Sequence, residues 1–116
     1  MSDKISKGNY GEQLAADFLT EAGYEILARN YRYKHAEIDI IARQEALLVF
    51  VEVKLRSSKF FGVPEEFVGP EKEEKIREAA EHYMEETNWM GDIRFDIIAI
   101  LTKPEIEIEH FQDAFF

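Results

Sequence analysis

The run from Ala46 to Arg56, ALLVFVEVKLR, restricts the fold of this chain more than any other segment. Leu47, Val49, Val51, Val53 and Leu55 share one face of an extended strand, and Leu48, Phe50, Glu52, Lys54 and Arg56 share the other. Up to Val51 both faces are apolar, the pattern of a central strand covered on both sides. From Glu52 onward one face turns charged. The strand therefore needs helices on both faces of its sheet, and its end carries a carboxylate and an ammonium where the rest is core.

The flanking segments supply such a sheet. Residues 9–22 place Tyr10, Leu14, Ala15, Phe18, Leu19 and Ala22 on one helical stripe, with Gly23 at the C-cap position. Tyr24 to Tyr31 reads as a first strand, with Asn30 and the basic segment RNYRYKH at its end. Ala36 to Ala42 alternates, with Ile38, Ile40 and Ala42 on one face and Glu37, Asp39 and Ile41 on the other. No Asn-Gly or Asp-Gly lies between Arg43 and Ala46, so a loose four-residue hairpin loop is expected there.

Residues 57–70, SSKFFGVPEEFVGP, read as a mobile loop, aromatic through Phe60, Phe61 and Phe67. From Pro70 to about Thr87 the apolar positions Ile76, Ala79, Ala80, Tyr83 and Met84 step by three and four. Pro70 suits the first turn of that helix, and Glu71, Glu73 and Glu74 complement its N-terminus. Ile93–Thr102 and Glu105–Phe111 alternate as two closing strands. The expected fold is α/β (α+β), a mixed central sheet flanked by helices in a single domain over residues 1–116.

Composition excludes several classes of function. With no cysteine there is no disulfide scaffold, thiolate zinc site or cysteine nucleophile. The first twenty residues lack the apolar run of a signal peptide, and no stretch approaches a membrane span, so a cytoplasmic protein without membrane contact is expected. The net charge of −10 reads at first as an argument against nucleic acid. It is segregated, however: residues 1–59 hold nine basic and nine acidic residues, whereas residues 60–116 hold five basic and fifteen acidic.

Asp39, Glu52 and Lys54 are the charges that core strands do not need. A buried charge costs several kcal/mol unless it is paired or bound to metal. A hairpin with an even-numbered loop puts Asp39 across from Phe50 or Glu52, with its side chain on the face of Glu52. Two carboxylates so placed share one hard divalent cation, with the Val53 carbonyl as a further oxygen ligand and water completing the shell. Mg²⁺, or Mn²⁺ in its place, suits that set. Lys54 shares the Glu52 face, and the group has the parts for phosphodiester hydrolysis. The same three charges also suit an ordinary cross-strand salt-bridge cluster.

The order Asp39, Glu52-Val53-Lys54 resembles the PD-(D/E)XK motif of restriction-endonuclease-like nucleases. Gly11-Glu12, Asn30, Glu37-Ile38-Asp39, Phe50 to Lys54 with Arg56, Lys72, Ala79-Ala80, Arg94-Phe95-Asp96, His110 and Ala114-Phe115 extend the likeness, over nearly the whole chain, to the bacterial YraN-type family. The chain has Ala36 where that family usually has Gly, and no Pro precedes Asp39. The resemblance implies a core similar to archaeal Holliday-junction resolvases and a metal-dependent endonuclease acting on DNA, with branched DNA among the candidate substrates. It makes Asp39 and Glu52 metal ligands, Lys54 the catalytic lysine and Glu12 an auxiliary acid.

Glu12 lies at the edge of the buried helical stripe, where a solvated position is an equal reading. Lys72 points toward the same site or a phosphate, or pairs with its own glutamates. Glu37 sets the strand edge or pairs with Arg56 rather than binding metal, and Arg94 and Asp96, on one strand face, pair with each other or with neighbours. His35, His82 and His110 show no ligand spacing and read as surface residues. Arg29, Arg32 and Lys34, interleaved with Tyr31 and Tyr33, and Arg56 with Lys59, are candidate nucleic-acid contacts, or else cations guarding a strand edge. The aromatic loop suggests a lid or a homodimer contact. A catalytically idle nucleic-acid-binding module and a protein-interaction domain are the competing functions.

Overall fold

The computed structural model describes the backbone of residues 3–56 and 69–114, with side chains from Tyr10 onward. Its elements are α1 (Asp3–Glu21), β1 (Glu25–Tyr33), β2 (Ala36–Gln44), β3 (Leu47–Arg56), α2 (Pro70–Thr87), β4 (Asp92–Leu101) and β5 (Glu107–Phe111). The five strands lie in sequence order in one mixed sheet. Neighbours are antiparallel except β3 and β4, which run parallel and are joined by α2 as crossover. Residues 57–68 fall outside the described residues, and with them the expectations placed on Lys59 and on the aromatic loop.

β3 is central and covered on both faces, as its double apolar pattern requires. One face packs Ala15, Ala16 and Leu19 of α1 against Ile40, Ala42, Val49, Val51, Ile98 and Ile100. The other packs Ile76, Ala79 and Ala80 of α2 against Ile38, Ile41, Leu48, Phe50, Phe95 and Ile97. Alanine at the contact positions of both helices lets their backbones sit close to the sheet.

The helices end by left-handed caps. After α1 the Tyr24 N–H donates to Leu19 O (2.9 Å) and the Gly23 N–H to Thr20 O (3.1 Å), with Gly23 at φ 98. Asn88, at φ 55, takes the corresponding place after α2, and the Trp89 N–H donates to Met84 O at 3.0 Å. Gly91 serves a close approach instead. A Cβ there would stand 2.3 Å from the Ala46 carbonyl oxygen, which accepts a bond from the Asp92 N–H and ties the β2–β3 turn to the start of β4.

Three local expectations are corrected. The β2–β3 connection is a two-residue turn, Glu45-Ala46, with Gln44 paired to Leu47; Glu45 takes φ 55 without a glycine. β1 continues through Asn30 to Tyr33, so the basic segment lies within a strand as far as Tyr33, and only Lys34-His35 form the turn to β2. The alternation of β2 also breaks: Ile38 and Ile41 both pack under α2, while Ile40 and Ala42 pack under α1. Asn30, within β1, has a left-handed backbone (φ 55), and Ala28 and Tyr31 on either side of it both pack under α2. A left-handed residue inside a strand switches which face its neighbours present, and the paired strand follows.

Candidate active site

The β2–β3 register runs from Gln44↔Leu47 to Ile40↔Val51 and, continued by one step, sets Asp39 opposite Glu52. Regular pairing stops there. Asp39 Oδ2 instead accepts the Val53 N–H at 2.8 Å, so a side chain takes over a backbone donor where the β2–β3 pairing ends. The charge of Glu52 acts on Asp39 at short range. Burial first, and the Glu52 charge second, push the Asp39 carboxyl up to about 7; the Val53 bond opposes them, and Glu12 and Glu37 add to the rise.

Glu52 is 6% exposed, in the middle of a strand whose preceding residues are fully buried. Two ammonium groups reach the same carboxylate oxygen: Lys54 Nζ lies 3.2 Å and Lys72 Nζ 2.6 Å from Oε2. Lys54 arrives by strand parity. Lys72 comes from the first turn of α2, so it joins the site rather than pairing with its neighbouring glutamates. Burial disfavours the Lys72 charge, but the hydrogen bond to Glu52 and its Coulombic pull outweigh this and raise its pKa.

Glu12 approaches Asp39 from α1. Its side chain is 15% exposed; Oε1 accepts a hydrogen bond from Asn30 Nδ2 at 2.9 Å and lies 3.6 Å from Arg29. The left-handed turn of β1 and the auxiliary acid are therefore tied together next to Asp39. Asn30 is the site residue that composition and spacing did not single out. Apart from its place in the family resemblance, its signal is an asparagine, tolerant of positive φ, inside a strand otherwise rich in large and branched residues.

The basic strand is largely engaged with the protein itself. Arg32 pairs with Glu37 at 3.3 Å, so Glu37 has found Arg32 where Arg56 was expected. Arg56 Nη1 donates to the Leu55 carbonyl. Tyr33 stacks on His82 with centroids 4.2 Å apart, and Lys34 Nζ stands 5.3 Å from the Tyr33 ring centre. The Tyr31 hydroxyl donates to Glu86 and also bonds to His82 Nδ1 at 2.8 Å. Burial, then the bond and charge of Glu86, push that phenol up to about 12. These rings pack on α2 rather than standing open for bases.

A second polar group is internal. Asp96, fully buried, accepts both Nε and Nη2 of Arg94 (2.9 and 2.8 Å) and the Asp113 N–H (2.9 Å), and bonds to His110 Nε2 at 2.7 Å. Arg94 Nη2 also donates to the Tyr24 hydroxyl. Burial alone would raise the Asp96 carboxyl, but His110, Arg94 and the Asp113 N–H together hold it below the usual carboxylate range. His110, read as a surface residue, is thus a core partner with a 10% exposed side chain. His82, another, is only partly exposed and stacked.

For a divalent cation the donor set is all oxygen: the Asp39 and Glu52 carboxylates and the Val53 carbonyl. Two partly or wholly buried carboxylates that repel each other fit such an ion on charge. Among the described residues no group of three or more His, Cys, Asp or Glu is placed to hold a metal. No helix among the described residues is long and apolar enough to cross a membrane.

A mixed sheet with helices on both faces, carrying Asp39 and Glu52-Val53-Lys54 on adjacent strands where their pairing ends, defines a PD-(D/E)XK-like protein of the nuclease type. Residues 11–100 match the family described as "Uncharacterised protein family UPF0102". UPF0102 proteins of Christiangramia forsetii and Flavobacterium psychrophilum are 46% and 45% identical to this chain, each alignment covering 100% of it and 98% of the relative. The chain belongs to this family, the YraN-type family. Among solved structures, Pyrococcus furiosus SfsA in complex with Ca²⁺ aligns over 94% of this chain and 63% of that one. Its TM-score of 0.36 and 13% identity are too low to bear on fold or function.

Proposed function

We propose that this protein is a divalent-cation-dependent endonuclease that hydrolyses DNA phosphodiester bonds, with branched or junction DNA as its substrate class. The observation that carries the reading is the convergence of Asp39, Glu52 and Lys54 at the end of the β2–β3 pair, where a purely structural strand would continue its apolar core. Mg²⁺ or Mn²⁺ is the fitting cofactor. When bound, such an ion polarises the phosphate and lowers the pKa of an attacking water.

The chain's own residues have distinct tasks in this scheme. Asp39 and Glu52 present carboxylate oxygens, and the Val53 N–H orients Asp39. Lys54 sets a positive charge beside Glu52, where negative charge builds on the phosphate. Glu12, held by Asn30 and Arg29, adds an acid from the α1 side. Lys72 and Arg56 border the site as phosphate contacts. Arg29 and Arg32 contribute less, because Glu12 and Glu37 already hold them.

The test is incubation of the full chain with labelled linear, flap and four-way-junction DNA, in Mg²⁺ or Mn²⁺ and in EDTA, beside Asp39→Asn and Lys54→Ala. Cleavage that requires the cation and is lost in both variants is the expected result. Absence of cation-dependent cleavage, or cleavage unchanged in the variants, overturns it. One observation favours a second reading, DNA binding without hydrolysis: Glu52 is already neutralised by two lysines. Salt-sensitive binding with every strand intact would support that reading.

A further inference from the structure

Glu52 carries two lysines on a single oxygen, and they differ in kind. Lys54 follows on the same strand, with its side chain 18% exposed and 3.2 Å away. Lys72 crosses from another element, makes the shorter contact at 2.6 Å and keeps 45% of its side chain exposed. Its neighbour Lys75, equally exposed, makes the ordinary helical pair with Glu71 at 3.7 Å. Lys72 thus reaches a carboxylate buried inside the sheet instead of the glutamates around it.

The physical reason is the cost of Glu52. A carboxylate at 6% exposure, opposite Asp39 on the neighbouring strand, needs a positive partner. An ammonium and a divalent ion are alternatives for the same oxygen. Of the two lysines only Lys72 is half in solvent, so only it can withdraw without leaving its own charge buried.

We propose that Lys72 is the resident counter-ion of Glu52 in the cation-free protein, and that a divalent cation displaces it, releasing its ammonium to a substrate phosphate. The inference rests on the reading of Asp39 and Glu52 as cation ligands. Cation binding and phosphate binding are then coupled, each raising the affinity for the other.

Calorimetric titration with Mn²⁺ of the wild-type chain, Lys72→Met, Lys72→Arg and Lys75→Met, with Asp39→Asn as the blank, tests it. Lys72→Met is expected to bind Mn²⁺ about tenfold tighter or more, because the competing charge is gone. Lys72→Arg stays near wild type, and Lys75→Met, which removes the same charge nearby, shifts by about twofold or less. With Mn²⁺ present, Lys72→Met also loses DNA affinity, and its salt dependence becomes shallower by about one phosphate contact.

Equal Mn²⁺ affinity in wild type and Lys72→Met, or equal gains in Lys72→Met and Lys75→Met, overturns the displacement. In that event, wild-type Mn²⁺ binding that vanishes in Asp39→Asn leaves the ligand assignment standing. An unchanged salt dependence overturns the release to phosphate. Absence of Mn²⁺ binding in every protein overturns both the displacement and the ligand assignment.

Discussion

Asn30 on β1 and Asp39 on β2 stand opposite each other, bracketed by the pairs Arg29↔Ile40 and Tyr31↔Ile38. Asn30 has a left-handed backbone at φ 55, and regular β2–β3 pairing ends beside Asp39. The sheet changes the face it presents at this position, and there Asp39 turns to the Val53 N–H. A strand kept strictly regular would instead have Ile38 on the α1 side with Ile40.

Asn30→Val therefore acts on both backbone and site. A β-branched residue at φ 55 is strained by about 1–3 kcal/mol, and the bond to Glu12 is lost. Asn30→Gly keeps the conformation and costs about 1 kcal/mol or less. Urea unfolding of the two variants should reproduce that order; equal losses would mean the backbone conformation is not what Asn30 provides.

Asp39 makes stability fall as pH rises. Its carboxyl titrates near 7 when folded, above its ordinary value of 3.8, so the folded state binds the extra proton between those values. The stability it contributes is full below about pH 4 and is lost through pH 7, by up to about 4 kcal/mol at about 1.4 kcal/mol per pKa unit. Asp39→Asn should match wild type at pH 4 and exceed it at pH 8. Chemical denaturation across that range checks the crossing.

Divalent cation and proton compete for the same carboxylate, so Mn²⁺ should raise the melting temperature more at pH 8 than at pH 6. Thermal melts with and without EDTA at the two pH values test this. A gain independent of pH, or one that persists in Asp39→Asn, places the cation elsewhere.

Asp96 behaves oppositely. Its carboxyl is held below the usual range, so the stability it provides is present above the unfolded carboxylate pKa and lost only as pH falls through its lower folded value. Asp96→Ala leaves the largely buried Arg94 guanidinium with its carboxylate partner gone. The loss is expected at about 3–5 kcal/mol, seen as a lower urea midpoint. Arg94 and His110 lose the same carboxylate together, so adding His110→Ala to Asp96→Ala should cost much less than His110→Ala alone.

In the cleavage assay, Asp39→Asn and Lys54→Ala should each lower the rate by about a hundredfold or more with the fold retained, the scale of losing one group that stabilises transition-state charge. Circular dichroism and melting curves on the same samples separate that loss from unfolding.

Much of this was legible from residue order. The double apolar face of Leu47–Val51 required a central strand between two helices. Pro70 to Thr87 appeared as a helix from its three-and-four stepping, and the parity of positions 52 and 54 put Glu52 and Lys54 on one face. These are local periodicities, and a period of 2 or 3.6 holds wherever the strand or helix stays regular. The even-numbered hairpin left Asp39 across from Phe50 or Glu52, and the turn of two residues rather than four selected Glu52.

Where periodicity fails, the chain alone gave no answer. Nothing local says that Asn30 adopts φ 55, that Ile38 then joins Ile41 under α2, or that the tyrosines of RNYRYKH close on His82. His110 reads as an isolated polar residue until β5 sets it against Asp96 of β4. Lys72 has glutamates on both sides in sequence, and only the packing of α2 over β3 brings it to Glu52. Residue order thus determined the elements and the charged strand end, because those depend on each residue's immediate neighbours. Tertiary structure decided the partners of each charge, because burial removes water and makes the nearest available counter-charge obligatory.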